Sequence, residues 1–349
     1  MVFYDKTMPQ YFNSFSDRYL RAAAILCLCV VGLFMSGLGY AAARPELYQA
    51  LAPVSDRSDS AQAAAFQAAL RTVLVRVTGR RTADDDAALA PLIGNARRYV
   101  QQYRPAADGQ LWVAFDGPAI ERWLTQNGQP LWGHERPTTL VMLAVQTGAQ
   151  SGTVISADDT SELKSAIDAA AISRGLPLLW PSAAELQKNR LDYATVVNDS
   201  PSVLGEIARR FGGDGVLIGR ASGSSALANV RWIHMFQDRS SEYSGPLEGV
   251  QRAADLYAGL FAASGNLSAV DIEVVGVNDL RQYAGLETYL ESLTFIAHVS
   301  VESLSGDTVR LRLSTRGGVD SLQRALSLNG RLQPIAAGEN GLQRFQLHR

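Results

Sequence analysis

Residues able to move protons or hold metals are few and scattered in this chain. The histidines are His134, His234, His298 and His348, and none stands at the spacing from another histidine or a carboxylate that a metal-ligand set uses. His234 and His298 fall in apolar strand segments, where a half-buried, hydrogen-bonded imidazole is the expectation. His134 falls in a loop, Trp132-Gly133-His134-Glu135-Arg136, and can pair with Glu135 as a proton-transfer site. The competing expectation is a junction between modules, with Trp132 packed and Arg136 bridging. The only cysteines, Cys27 and Cys29, lie near the amino terminus. Residues 44–349 therefore offer no disulfide, cysteine nucleophile or cysteine metal site. Asp84-Asp85-Asp86 has the oxygens calcium wants, but adjacent carboxylates at a helix start are expected to cap it and complement its dipole. Ser151 and Ser224 lack the Gly-x-Ser-x-Gly order of a nucleophile elbow and are expected in turns. No catalytic residue, metal or cofactor is expected.

Arginines are the next resource. Arg76, Arg80, Arg81, Arg97, Arg98 and Arg104 cluster in sequence, and guanidinium forks match carboxylates and phosphates. Arg97, Arg98 and Arg104, with His134 and Arg136 of the loop, are the candidate ligand-binding residues for an anion or a glycan polymer. A solvated face balanced by Asp84–Asp86 is the alternative. Tyr99, Tyr103, Trp112 and Phe115 are expected on the core face of a hairpin rather than as a sugar platform.

The stretch EIARRFGGDGVLIGRASGSS, residues 206–225, raises the question of a phosphate loop. Phosphate loops run from a strand through glycines into a helix whose amino-terminal N–H groups face the anion. Here Val203, Leu204, Ile207 and Phe211 form a helical stripe, and Gly212-Gly213 then lead into a strand. The glycines are expected to end a helix, with the wrong dipole end presented to an anion.

Those residues must be positioned by a chain of 349 residues with 47% apolar and 19% charged residues and a formal charge of −2. Such numbers describe a globular chain of two or three domains with no electrostatic footprint for nucleic acid. Arg18 and Arg21 precede an uncharged stretch, Ala22–Ala43, that closes on Ala41-Ala42-Ala43. This is the order of a signal peptide cleaved after Ala43. An uncleaved anchor is the competing reading, since the run approaches the ~20 residues a span needs. Either places residues 44–349 outside the inner membrane, in the periplasm.

Residues 44–137 show the order β-α-β-β-α of a split βαβ, ferredoxin-like module, with ADDDAALAPLIG as a helical insertion. Ser58 and Asp59 start its first helix and Gly79 ends it. QPLWGHERPTT marks a boundary. Residues 138–265 give buried strands alternating with helices, then a hairpin through LANVRWIHMF, which is an α/β layer with parallel strands. Residues 266–349 return to β-α-β-β-α-β. The fold class expected is therefore α/β and α+β.

The stretches LYQALAPVSDRS, ALRTVLVRVTGRR, RRYVQQYRP, LWVAFDGPAIERWLTQNGQPLWGHERP and IARRFGGDGVLIGR together resemble domain-of-unknown-function family 2066, exported proteins of Gram-negative bacteria. The resemblance spans most of residues 46–262 and implies location and shape, since that family has no assigned reaction. The helix, Gly-Gly-Asp, strand, Gly-Arg pattern is also similar to small α/β domains at the amino end of Tol-system and penicillin-binding-protein-activator lipoproteins, which bind other proteins. The expectation is an exported, non-catalytic envelope protein with a protein partner. The alternative is a cell-wall hydrolase or a glycan- or anion-binding enzyme.

Overall fold

The computed structural model describes residues 46–146, 152–198, 200–237, 239–326, 328, 331–338 and 341–348; the expected signal segment, residues 1–43, lies outside them. Three sheets carry the fold, as the mixed α/β and α+β reading expects.

The first sheet begins with β1 (Gln49–Pro53) and α1 (Asp59–Thr78). The Ser58 side chain accepts from the Ala61 N–H at the start of α1, and Gly79 closes it with φ of 72°. Phe66, Leu70, Val73, Leu74 and Val77 form its buried stripe. Gly79 is also required by packing, because a Cβ there would lie 2.2 Å from the Ala258 Cβ. After a 3-10 turn capped by Asp86 comes α2 (Ala90–Gly94), then β2 (Val100–Pro105), β3 (Gln110–Phe115) and α3 (Gly117–Gln126). The antiparallel order β1-β3-β2 leaves β1 parallel to β2 with β3 between them, the split βαβ arrangement. Trp112 departs from expectation: Leu111, Val113 and Phe115 point to the core, which turns Trp112 to the opposite face.

The second layer holds β4 (Thr139–Gln146), β5 (Thr153–Val154), α4 (Glu162–Arg174), β6 (Leu178–Leu179), α5 (Ala183–Lys188), α6 (Tyr193–Asn198), α7 (Pro201–Arg210), β7 (Gly215–Ser222), β8 (Asn229–Phe236), β9 (Arg239–Ser244) and α8 (Glu248–Phe261). Strand β4 lies parallel to β6 and β7, and β8 and β9 continue as an antiparallel meander. Both faces of β4 are buried. Val141, Leu143 and Val145 pack with residues of α4 and α8, while Leu140, Met142 and Ala144 pack with Leu204 and Ala208 of α7.

Helix α7 ends as the sequence predicts. Gly213 N–H donates to Ala208 O at 3.0 Å, Gly212 N–H donates to Arg209 O at 3.1 Å, and Gly212 sits at φ of 78°. This is a Schellman closure. Gly213 is not in the left-handed region; a Cβ on it would meet Gly215 O at 3.1 Å. Gly212→Ala is expected to lower stability by about 1 kcal/mol, read as a shifted denaturation midpoint. An unchanged midpoint would contradict that role.

The third sheet contains β10 (Ser268–Val275), α9 (Leu280–Glu291), β11 (Ile296–Ser305), β12 (Thr308–Thr315), α10 (Gly318–Leu326), β13 (Leu332–Ile335) and β14 (Gln343–Leu347). Its order is β11-β12-β10-β14-β13, with β14 parallel to β10. In a βαββαβ module the strand after the second helix would lie beside β10. Here β13 is displaced to the edge and β14 inserts between them. Pro334 in β13 has no N–H for a second neighbour, whereas β14 carries the fully buried Phe345. His298 is exposed rather than half-buried, beside a register shift between Ile296 and His298 in β11.

Candidate functional site

The Trp132–Arg136 loop is where the three sheets meet. Leu131 and Ala263 exchange backbone hydrogen bonds at 2.9 Å, and Trp132 N–H donates to Val77 O at 2.6 Å. Glu135 does not pair with His134. Its Oε1 accepts from Thr294 N–H at 2.8 Å, next to the C-terminal sheet, and His134 N–H donates to Thr294 Oγ1 at 3.3 Å. The exposed His134 ring meets Tyr48 edge-on, with centroids 6.2 Å apart.

Arg136 is buried and spends its donors on main-chain carbonyls. Nε donates to Gly133 O at 2.8 Å, Nη1 to Arg174 O at 3.3 Å and Gly175 O at 3.0 Å, and Nη2 to Arg76 O at 2.9 Å and Trp132 O at 2.6 Å. Arg76 and Arg174 lie in the last turns of α1 and α4, so one guanidinium closes two helix carboxyl ends, where a cation is favoured. It lies over the Trp132 ring, 3.9 Å from the centroid. Burial pulls its pKa down to about 9, which leaves it charged at neutral pH. Arg136 is thus a clamp, with its fork turned to carbonyls rather than to a ligand. Beside it Arg174 donates to Gly79 O at 2.8 Å and Asp255 Oδ1 at 2.7 Å. Arg81 holds the same carboxylate at 2.6 Å. Burial raises the Asp255 pKa, but the two guanidiniums outweigh it and the net shift is downward.

The other candidate arginines do not converge. Arg97 donates to Gln62 Oε1 at 3.2 Å and faces the Phe66 ring on the helix side of the first sheet, and Arg98 is exposed beside it. Arg104 is on the outer face, 4.7 Å over the Trp112 ring. Asp86 is spent on Ala88 N–H at 2.9 Å and Arg80 at 2.7 Å. Among the described residues no group of three or more His, Cys, Asp or Glu can hold a metal.

What the first sheet does offer is an edge, that of β1, left unpaired among the described residues. Phe115 N–H donates to Tyr48 O and Val54 N–H to Gly109 O, both at 2.9 Å. In an antiparallel ladder this parity turns Ala50 and Ala52 toward β3, and the N–H and C=O groups of Gln49 and Leu51 outward. Gln49 O accepts from Arg76 Nη1 at 2.5 Å. Beyond that point the edge borders a groove of about 540 Å³, with Leu51 and Trp112 on one wall and Ile172, Leu176 and Leu178 on the other. Leu51, Trp112 and Arg104 are cross-strand neighbours in one row. Leu51 is 53% exposed and Ile172 57%.

A buried polar chain crosses the second layer. Tyr257 OH lies 2.9 Å from His234 Nε2 and 3.1 Å from Thr139 Oγ1. Burial raises the Tyr257 pKa and pulls His234 down to about 4. Nearby Asp214, accepting from Thr138 N–H at 2.7 Å, has its pKa raised by burial. These groups lie at the amino ends of β4 and β7, opposite the end where parallel strands present ligand sites. Helix α8, which supplies Asp255 and Tyr257, was not anticipated from the sequence, although Val250, Ala254, Tyr257 and Phe261 carry its helical spacing.

A family model described as Domain of unknown function (DUF8605) matches residues 41–133. This overturns the resemblance to family 2066, which is a different family. The match covers the first sheet and its helices and stops within the junction loop. No curated protein matches the chain.

Proposed function

We propose that this chain is an exported, non-catalytic docking protein that receives an extended segment of a partner protein along the open edge of β1. The basic flank of Arg18 and Arg21, the apolar run and Ala41-Ala42-Ala43 support export. Among the described residues no helix is long and apolar enough to cross a membrane.

The observation that carries the docking role is the groove beside β1. A split βαβ module that continues after its second helix places a further strand against β1. This chain instead leaves α3 through Gly128 and passes into the junction loop. Among the described residues no strand occupies the position beside β1, which has outward backbone groups at Leu51 and apolar side chains on both walls. An added strand gains main-chain hydrogen bonds from such an edge and side-chain specificity from the walls. Alternate apolar residues suit Leu51 and Ile172, and a carboxylate at the rim suits Arg104.

Leu51→Asp tests this, because the residue is exposed and its change leaves the core intact. A stoichiometric protein copurifying from envelope extract is expected to be lost in Leu51→Asp with melting unchanged. A photoreactive residue at position 172 is expected to crosslink to a segment with alternating apolar residues. Copurification indifferent to Leu51→Asp, or a bound glycan in place of a protein, would overturn the proposal.

A further inference from the structure

We propose that a second site, on the central sheet, binds an oxyanion of the phosphate-monoester type between Arg220 and Arg231. The two residues are direct partners across the β7–β8 ladder, so their side chains leave the same face with Cβ atoms roughly 5 Å apart. Like charges in that relation repel, and sheets normally separate them or give each a carboxylate. Neither is done here. Among the described residues neither guanidinium has a hydrogen bond, ion pair or ring contact, and Arg220 Nε is buried without a partner. A buried, unanswered donor on a cation is costly. Both side chains border a pocket of about 250 Å³, with Ile218, Ile233, Glu242 and Ser244 around it. Glu242 forms no ion pair with either arginine, which leaves the pocket's formal charge positive.

Placement in the fold points the same way. Strands β6-β4-β7 are parallel, and the chain continues from β4 to β6 on one side and from β7 to β8 on the other. The carboxyl ends of β4 and β7 thus flank a topological switch point, where open α/β sheets bind ligands. Arg220 is two residues from the end of β7. Helix α7 turns back at Gly212 and packs along β7 and β8. The first turn of α7 adds little, since Pro201 has no N–H and the Val203 and Leu204 N–H groups donate to Ser200 O at 3.1 and 3.2 Å, so the donors that face the pocket are the two guanidiniums. The glycines after α7 close a helix, and the arginines lie near the carboxyl end of β7.

Size limits the ligand to the anion and a few attached atoms. Free phosphate, a small phosphomonoester and the phosphomonoester headgroup of phosphatidic acid share that chemistry. The full chain is titrated at low ionic strength with inorganic phosphate, with glycerol phosphate and with phosphatidic acid vesicles, alongside Arg220→Met and Arg231→Gln. Saturable binding weakened on the order of tenfold or more in each variant is expected. The arm that binds identifies the source. Arg231 is exposed, so its variant reports on binding even if Arg220→Met perturbs folding. In phosphate-free buffer Arg220→Met is expected to melt at the same or a higher temperature than the parent, because it removes an unpaired charge. No saturable binding in any arm, or binding unchanged in both variants, would overturn the site. So would Arg220→Met melting lower while still binding phosphate.

Discussion

Arg136→Met is expected to cost on the order of 3–5 kcal/mol of folding stability and to leave much of the chain unfolded at 37 °C. The reason lies in what the guanidinium answers. Five carbonyls from Gly133, Trp132, Arg76, Arg174 and Gly175 accept from it, and those of Arg76 and Arg174 belong to helix ends that have few other donors. Removing the fork orphans several of them at once in a site closed to water. Arg136→Lys keeps the charge, but three donors on a point cannot reach five acceptors spread around a plane, so it should fall between parent and Met variant. Denaturant midpoints decide the matter. A residue acting on a ligand would leave the midpoint unmoved and change only affinity, and an Arg136→Met protein as stable as the parent would remove the clamp from this account.

How much of this could be read in advance depends on the range over which each feature is encoded. Helix α1 is local: Ser58, Gly79 and the stripe from Phe66 to Val77 lie within one element, and spacing alone reveals it. The same holds for the Gly212 closure and for the choice between a phosphate loop and a helix end. The junction loop was legible as a junction, since Trp132 and Arg136 between prolines have no strand or helix period. Its partners were not, because Thr294 and Gly175 approach it only after the sheets have assembled.

Register is the harder case. Arg220 and Arg231 oppose one another only because Gly215 pairs with Phe236, and a slip of one residue would send them to opposite faces. Nothing local announces that choice; the apolar alternation of Val230, Trp232 and Phe236 sets it by burying that face on α8. Leu51, Trp112 and Arg104 form their row by the same logic. Arg97 and Arg104, close in sequence, part company because a strand and a 3-10 turn send them to different sides of one sheet. Strand β9, Arg239–Ser244, is polar and lies at an edge, so it has no apolar period to detect.

The buried His234 makes a second large effect, this one in pH. An imidazole in the unfolded chain titrates near 6.5, and in the fold burial holds it near 4. Between those values the unfolded chain binds the proton that the folded chain refuses, so stability falls as pH is lowered through that window and falls no further, on this account, below about 4. Over the whole window the loss is about 3 kcal/mol. Its physical content is that a charged ring would have to sit beside the Tyr257 hydroxyl with no carboxylate of the described residues in contact. Asp214 works in the opposite sense. Burial raises its carboxyl pKa, so the fold holds that proton better and gains stability as the solution is acidified. The informative quantity is therefore the difference between the parent and His234→Phe, measured by urea denaturation from pH 7.5 to 4. The variant keeps an apolar ring on the buried face and leaves Tyr257 its contact with Thr139 at 3.1 Å. Parent minus variant stability should fall steadily below pH 6.5. A difference that stays flat across that range would mean that the ring takes up its proton as readily in the fold as in the unfolded chain, and a rising one that the fold favours the charged ring.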